Sequence, residues 1–178
     1  MPSAVSDALE RARRVRLMLF DVDGVLTDGR LWYGPGGEAL KAFHALDGHG
    51  IKMLGASGVE VGILSGRSSA AVAARAAELG MRYVFQGIED KRERYEALLR
   101  ELAIAREAVG YIADDVVDLP VLLACGFACA VREAPEPVRQ RVHYVCTAPA
   151  GGGAAREVCE YVMRAQGTLD RAMEAYIR

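Results

Sequence analysis

The chain has 178 residues, enough for one ordinary domain with a substantial core. Apolar residues make up 52% and charged residues 26%, a globular balance that excludes a disordered or fibrous polymer. With 22 basic against 24 acidic residues and a net charge of -2, composition gives no electrostatic ground for nucleic acid or an anionic membrane as partner.

The opening segment, MPSAVSDALERARRVR, is patterned as a short amphipathic helix and lacks a hydrophobic signal core, so a cytoplasmic location is expected. VRLMLF, from Val15 to Phe20, is apolar throughout and stops at DVDG, which predicts a strand buried on both faces of a parallel sheet. LWYGPGGEALKAF has two short apolar stretches around Gly34, Pro35, Gly36 and Gly37 and predicts a hairpin. A helix follows Asp47 to about Ala56, and VEVGILS reads as a second buried strand ending at Ser65. SSAAVAARAAELG predicts a helix capped by Ser68 or Ser69 and stopped by Gly80. RYVF is a third strand, EDKRERYEALLRELA a charged amphipathic helix, and VGYIA a fourth strand ending at Asp114. A helix from about Val116, strands FACAV and HYVC, and one or two helices from Ala154 to Ile177 complete the alternation.

Strands alternating with helices predict an α/β fold, a parallel sheet with right-handed crossovers in one domain over 1–178. The hairpin is an insertion at about 29–43 and the helical tail covers about 154–178. No apolar run approaches the roughly 18 residues that span a bilayer. The four cysteines show no C-x-x-C pair; three fall in apolar surroundings and read as small core residues, and Cys125 and Cys129 could in principle bridge, though a reduced structural role is expected.

Chemistry in such sheets collects beyond the carboxyl ends of the strands. Asp21 and Asp23 follow the first strand, Ser65 the second, and Asp114, Asp115 and Asp118 the fourth, while Lys91 opens the helix after the third. Carboxylates gathered at the ends of apolar strands repel and call for a cation. An all-oxygen set suits a hard ion such as Mg²⁺ rather than zinc. Carboxylates, a lysine, a hydroxyl and magnesium suit phosphoryl transfer, with one carboxylate able to attack phosphorus. Asp-x-Asp-Gly alone is a common turn; its combination with the other strand ends carries the reading.

DVDGVLTDG resembles the first motif of the haloacid dehalogenase superfamily of phosphatases, ILSGR its second, Lys91 its third and IADDVVD its fourth. Through KAFHALDGHGIKML, SGVEVGILSGR, ELGMRYVFQG, DK and AREVCEYVMRAQG, about residues 15 to 168, the chain is similar to the 3-deoxy-D-manno-octulosonate 8-phosphate phosphatase branch. The resemblance implies a three-layer α/β/α Rossmann-like fold without a separate cap. It implies Asp21 as nucleophile, Asp23 as acid and then base, and Mg²⁺ held by Asp21, the backbone carbonyl of Asp23, and Asp114. Ser65, Gly66 and Lys91 are then expected at the phosphate, Lys91 also offsetting the nucleophile's charge, and Asp115 and Asp118 as supports of the metal ligands. Thr27 either closes the first loop or touches phosphate.

Arg67 and Lys52 are the basic candidates for an acidic sugar, His44 and His49 weak candidates for the rim, and His143 is structural. The branch further implies a homotetramer with the hairpin at subunit contacts, a sugar-acid phosphate substrate, and a place in lipopolysaccharide sugar synthesis. A nine-carbon sugar-acid 9-phosphate, a broad range of sugar phosphates, and a non-catalytic tetramer-forming scaffold are the competing readings. Two departures stand out. Ala113 replaces the usual glycine of the fourth motif, and Gly152 stands where the branch commonly has an arginine.

Overall fold

The computed structural model describes residues 4–177; the first three residues of the predicted amino-terminal helix and the last of the tail lie outside the described residues. The apolar runs become strands. Leu17–Phe20 forms β1 and is buried at every position, as a strand covered on both faces must be. Two short strands follow, β2 (Trp32–Gly34) and β3 (Gly37–Leu40), pairing only with each other as an antiparallel hairpin. Beyond them come β4 (Glu60–Leu64), β5 (Tyr83–Phe85), β6 (Val109–Ala113), β7 (Phe127–Ala130) and the two-residue β8 (Tyr144–Val145).

These six longer-range strands form one sheet in the order β5-β4-β1-β6-β7-β8, every pair parallel. The chain leaves β1 toward β4 and β5, then returns to β6 on the other side of β1. That reversal opens a crevice at the carboxyl ends of β1 and β6, where such sheets bind ligands. Phe20, Tyr111 and Phe127 are fully buried along the central strands; each large side chain removed from water in this way contributes about 2 kcal/mol.

The amino-terminal helix α1 (Ala4–Arg13) packs on α7 (Ala154–Gln166), which also packs on α2 (Ala45–Ala56) and on the short α8 (Leu169–Glu174). A separate pair is made by α4 (Lys91–Leu102) and α5 (Leu119–Leu122). Between β4 and β5 runs α3 (Ala70–Glu78). Ser69 stands at its cap position in extended backbone, yet its hydroxyl makes no capping bond and lies against Glu38 of the hairpin instead. Gly80 does follow the helix end, at φ +69. The helix expected from Val116 is a 3-10 turn, Val116–Asp118, leading into the four residues of α5. A further short helix, α6 (Glu136–Arg139), fills the link between β7 and β8 that sequence patterning left unassigned.

Two carboxylates tie the carboxyl-terminal half to the rest. Asp47, buried in α2, accepts bonds from the backbone N–H groups of Gly153 and Arg156, so it satisfies the otherwise unpaired first turn of α7. Glu157 accepts from the N–H groups of Thr147 and Ala148 and from the Tyr144 hydroxyl, fixing the preceding loop. All four cysteines are buried and free. Among the described residues, no helix is long and apolar enough to cross a membrane.

Candidate active site

Each strand that borders the crevice delivers its polar residue there. Asp21 directly follows β1, and its N–H bonds to the Ile112 carbonyl, extending the β1–β6 ladder by one step. The chain then turns sharply. Thr27, buried, accepts from the N–H groups of Gly24 and Gly29 and donates to the Val22 carbonyl, so its hydroxyl closes the loop. Gly24 sits at φ +86, and a Cβ there would lie 2.0 Å from an Asp114 oxygen. The loop after β1 is therefore pressed against the carboxylate after β6, an approach that a side chain would block.

Lys91, first residue of α4, turns inward while Asp90 caps the helix by accepting from the Glu93 N–H. Its ammonium lies 3.1 Å from Asp21 Oδ2 and 2.6 Å from Asp118 Oδ1. The Tyr111 hydroxyl, fully buried on β6, donates to the same Asp118 oxygen at 2.6 Å. Asp118 Oδ2 has no hydrogen-bond partner. Ligand-capable oxygens of Asp21, Asp114 and Asp118 all lie within 4.8 Å of one another.

Three carboxylates this close set the electrostatics. Desolvation, then the charge of Asp118, pushes Asp21 up to about 7 against the pull of Lys91. Burial and the charges of Asp21 and Asp118 push Asp114 up to about 7 as well. Burial disfavours the Lys91 ammonium, yet Asp21 and Asp118 outweigh it and hold the group above the ordinary lysine range. One lysine does not neutralise this many carboxylates. The all-oxygen donors, with one buried oxygen unpartnered, fit a hard divalent cation such as magnesium.

A cavity of about 300 Å³ is lined by Asp21, Asp23, Ser65, Gly66, Arg67, Lys91, Asp114 and Asp115. The structure thus brings nearly all the predicted residues together. Asp115 accepts from the Val116 N–H at 2.7 Å and caps the turn that leads to Asp118. Arg67 reaches the hairpin, donating to the Tyr33 hydroxyl at 2.8 Å, with its Nε 3.5 Å from Asp23 Oδ2. Ala113 is accommodated, fully buried at the end of β6 opposite Ala130.

Lys52 is the exception. It lines a different cavity with Val59 and Glu60, at the start of β4, whereas Ser65 follows that strand's other end. Five strand residues, about 16 Å, separate the two ends, so Lys52 does not reach this chain's own crevice. His49 packs edge-on against Tyr176, and His143 Nδ1 accepts from the Ala128 N–H, the structural role expected of it. His44 precedes α2 and makes no capping bond.

Sequence patterning missed Tyr111, Glu38 and Lys41. Lys41, just after the hairpin, contacts Asp23 Oδ1 and lies 3.1 Å from Glu38 Oε2. A signal for it existed: the chain has only three lysines among 22 basic residues, and two of the three converge here.

No protein-family model matches the sequence. It is 42% identical to the 3-deoxy-D-manno-octulosonate 8-phosphate phosphatase KdsC of Escherichia coli over 167 residues, 94% of this chain and 89% of that protein. The crystal structure of the Yersinia pestis 3-deoxy-D-manno-octulosonate 8-phosphate phosphatase superposes with a TM-score of 0.89 at 41% identity, covering 92% of this chain and 89% of that one. The Moraxella catarrhalis phosphatase, in complex with magnesium, phosphate and KDO, gives a TM-score of 0.93 at 37% identity, over 96% of this chain and 98% of that one. The parallel sheet, its small hairpin and these likenesses define a phosphatase with the α/β fold of the haloacid dehalogenase superfamily. Within it, the chain belongs to the 3-deoxy-D-manno-octulosonate 8-phosphate phosphatase (KdsC) family.

Proposed function

We propose that the protein hydrolyses 3-deoxy-D-manno-octulosonate 8-phosphate (KDO 8-phosphate) to KDO and phosphate through an aspartyl phosphate on Asp21. The observation that carries this is the convergence of Asp21, Lys91, Asp114 and Asp118 on one crevice, in a chain whose relative from M. catarrhalis holds magnesium, phosphate and KDO. Asp21, Asp114 and the backbone carbonyl of Asp23 would hold magnesium, which when bound draws charge from the phosphate oxygens and relieves the carboxylate repulsion. Lys91 and Ser65 bind phosphate oxygens, with Gly66 beside them. Asp118, held by Lys91 and Tyr111, keeps the lysine aimed at the nucleophile. Asp21 attacks phosphorus, and Asp23 gives a proton to the departing sugar oxygen. Asp23 then takes a proton from the water that cleaves the aspartyl phosphate.

The scaffold reading would predict loss of a core carboxylate or of the lysine, and this chain keeps them all. The sugar is a separate matter, since the catalytic groups read phosphate. Arg67 is the cation at the crevice that suits a sugar acid. Phosphate release is to be measured across sugar phosphates, including the eight-carbon and nine-carbon acids, with magnesium and with chelator. A preference of at least about tenfold for the eight-carbon acid, lost on chelation, is expected. Even activity across the panel would withdraw the substrate, and no release from folded, magnesium-loaded protein would favour the scaffold.

We infer a homotetramer in the cytoplasm, with the hairpin at the contacts between copies. Leu31, Trp32, Tyr33 and Leu40 are all exposed there, more apolar surface than a two-stranded ribbon leaves bare without a partner. Light scattering on the purified protein checks this, and a monomeric mass would refute it. Cell fractionation checks the compartment.

A further inference from the structure

The hairpin contributes one buried cation to the crevice. The Lys41 side chain is 2% exposed, and its ammonium is shared between Asp23 Oδ1 and, at 3.1 Å, Glu38 Oε2. The other oxygen of Asp23, Oδ2, is buried and accepts no hydrogen bond. The Arg67 guanidinium lies beside it, with Nε at 3.5 Å. The two oxygens of one carboxyl group are thereby made unequal.

We propose that Lys41 is a positioning residue for proton transfer: it holds Oδ1 of Asp23 so that Oδ2 is the atom that exchanges a proton with substrate and water. This rests on the phosphatase reading above and specifies which atom carries its proton. An ammonium has donors only and here occupies Oδ1, which leaves Oδ2 as the oxygen open to exchange a proton. Glu38 shares the ammonium at 3.1 Å and fixes its position over Oδ1. In the first half-reaction a bond forms between Asp21 and phosphorus, and the bond from phosphorus to the sugar oxygen breaks. That oxygen keeps the electron pair and takes the proton from Oδ2. In the second, Oδ2 takes a proton from water as the water oxygen bonds to phosphorus, which frees phosphate and restores Asp21.

The rival role for Lys41 is to fasten the hairpin and nothing more. Leaving-group chemistry separates the two, because p-nitrophenolate departs without a proton and a sugar alkoxide does not. The experiment measures kcat/KM, which reports the steps up to aspartyl phosphate, for KDO 8-phosphate and for p-nitrophenyl phosphate with magnesium. It compares the wild-type protein, Lys41→Met and Lys41→Gln. Two variants are carried so that the result does not hang on one of them folding, which circular dichroism reports. In both, the loss is expected to be larger for the sugar phosphate, about 100-fold in Lys41→Met, and to exceed the loss for the aryl ester by at least about tenfold. Equal losses for the two esters would overturn the role in proton transfer while leaving the phosphatase reading intact. A wild-type protein inactive toward both esters would sink that reading and this one with it.

Discussion

Replacing Asp21 with asparagine is expected to abolish turnover and, in the metal-free protein, to raise the melting temperature. Loss of the nucleophile should cost about 10⁴-fold or more in phosphate release; residual activity within tenfold of wild type would remove Asp21 from that role. The stability effect follows from its surroundings. Desolvation and the neighbouring Asp118 raise the Asp21 carboxyl to about 7 in the folded chain, against a reference value of 3.8. Between those limits the folded state binds more protons than the unfolded state, so stability falls as pH rises. Asp114, also raised to about 7, acts in the same direction. The metal-free protein should therefore melt lower at pH 8 than at pH 5, and Asp21→Asn should narrow that difference. Magnesium should raise the wild-type melting temperature at pH 8 and do much less for the variant. Melting curves at both pH values settle it: wild-type stability that climbed from pH 5 to pH 8 without metal would show that the carboxylates are not under strain.

Lys91→Met should also remove most activity, by about 10³-fold, but with the opposite effect on stability. Its ammonium is the one cation in contact with both Asp21 and Asp118 among the described residues. Truncating it leaves two buried carboxylates facing each other without a counter-charge, and breaking such a pair costs about 3–5 kcal/mol. For a chain of this size that is a drop of roughly 10 °C in the metal-free state. The two substitutions thus make a matched pair, both inactive, one more stable than wild type and one less. Side-by-side melts check it, and a Lys91→Met protein melting at or above wild type would refute the charge balance drawn here.

What was legible in the sequence was set by local pattern. VRLMLF, VEVGILS and VGYIA are apolar runs broken by a carboxylate or a hydroxyl, and a buried parallel strand followed by a ligand loop is the structure that satisfies both features. Asp21, Ser65 and Asp114 stand out that way, and Lys91 by its place at the head of the helix after the third strand. What escaped depended on contacts between distant segments. The hairpin could be read from its glycines, but not the direction in which it folds back, so Lys41 and Glu38 were missed. Lys52 was chosen instead, and α2 carries it to the far end of β4. Tyr111 looked like one more strand residue, and its hydroxyl gains meaning only because the turn after β6 brings Asp118 beneath it.

The loop before α7 holds two adjacent glycines whose surroundings differ. Gly151 is locked: it sits at φ +57, and a Cβ there would lie 2.4 Å from the backbone of Thr27 and Asp28, so a larger residue would disturb the nucleophile's own loop. Gly152, one position on, is confined by a different neighbour: a Cβ there would lie 2.9 Å from the Pro149 ring, which would have to shift to admit a side chain. The two neighbours answer to different pressures. A side chain at 151 would strike the loop that carries the nucleophile, whereas one at 152 would meet the Pro149 ring rather than that loop.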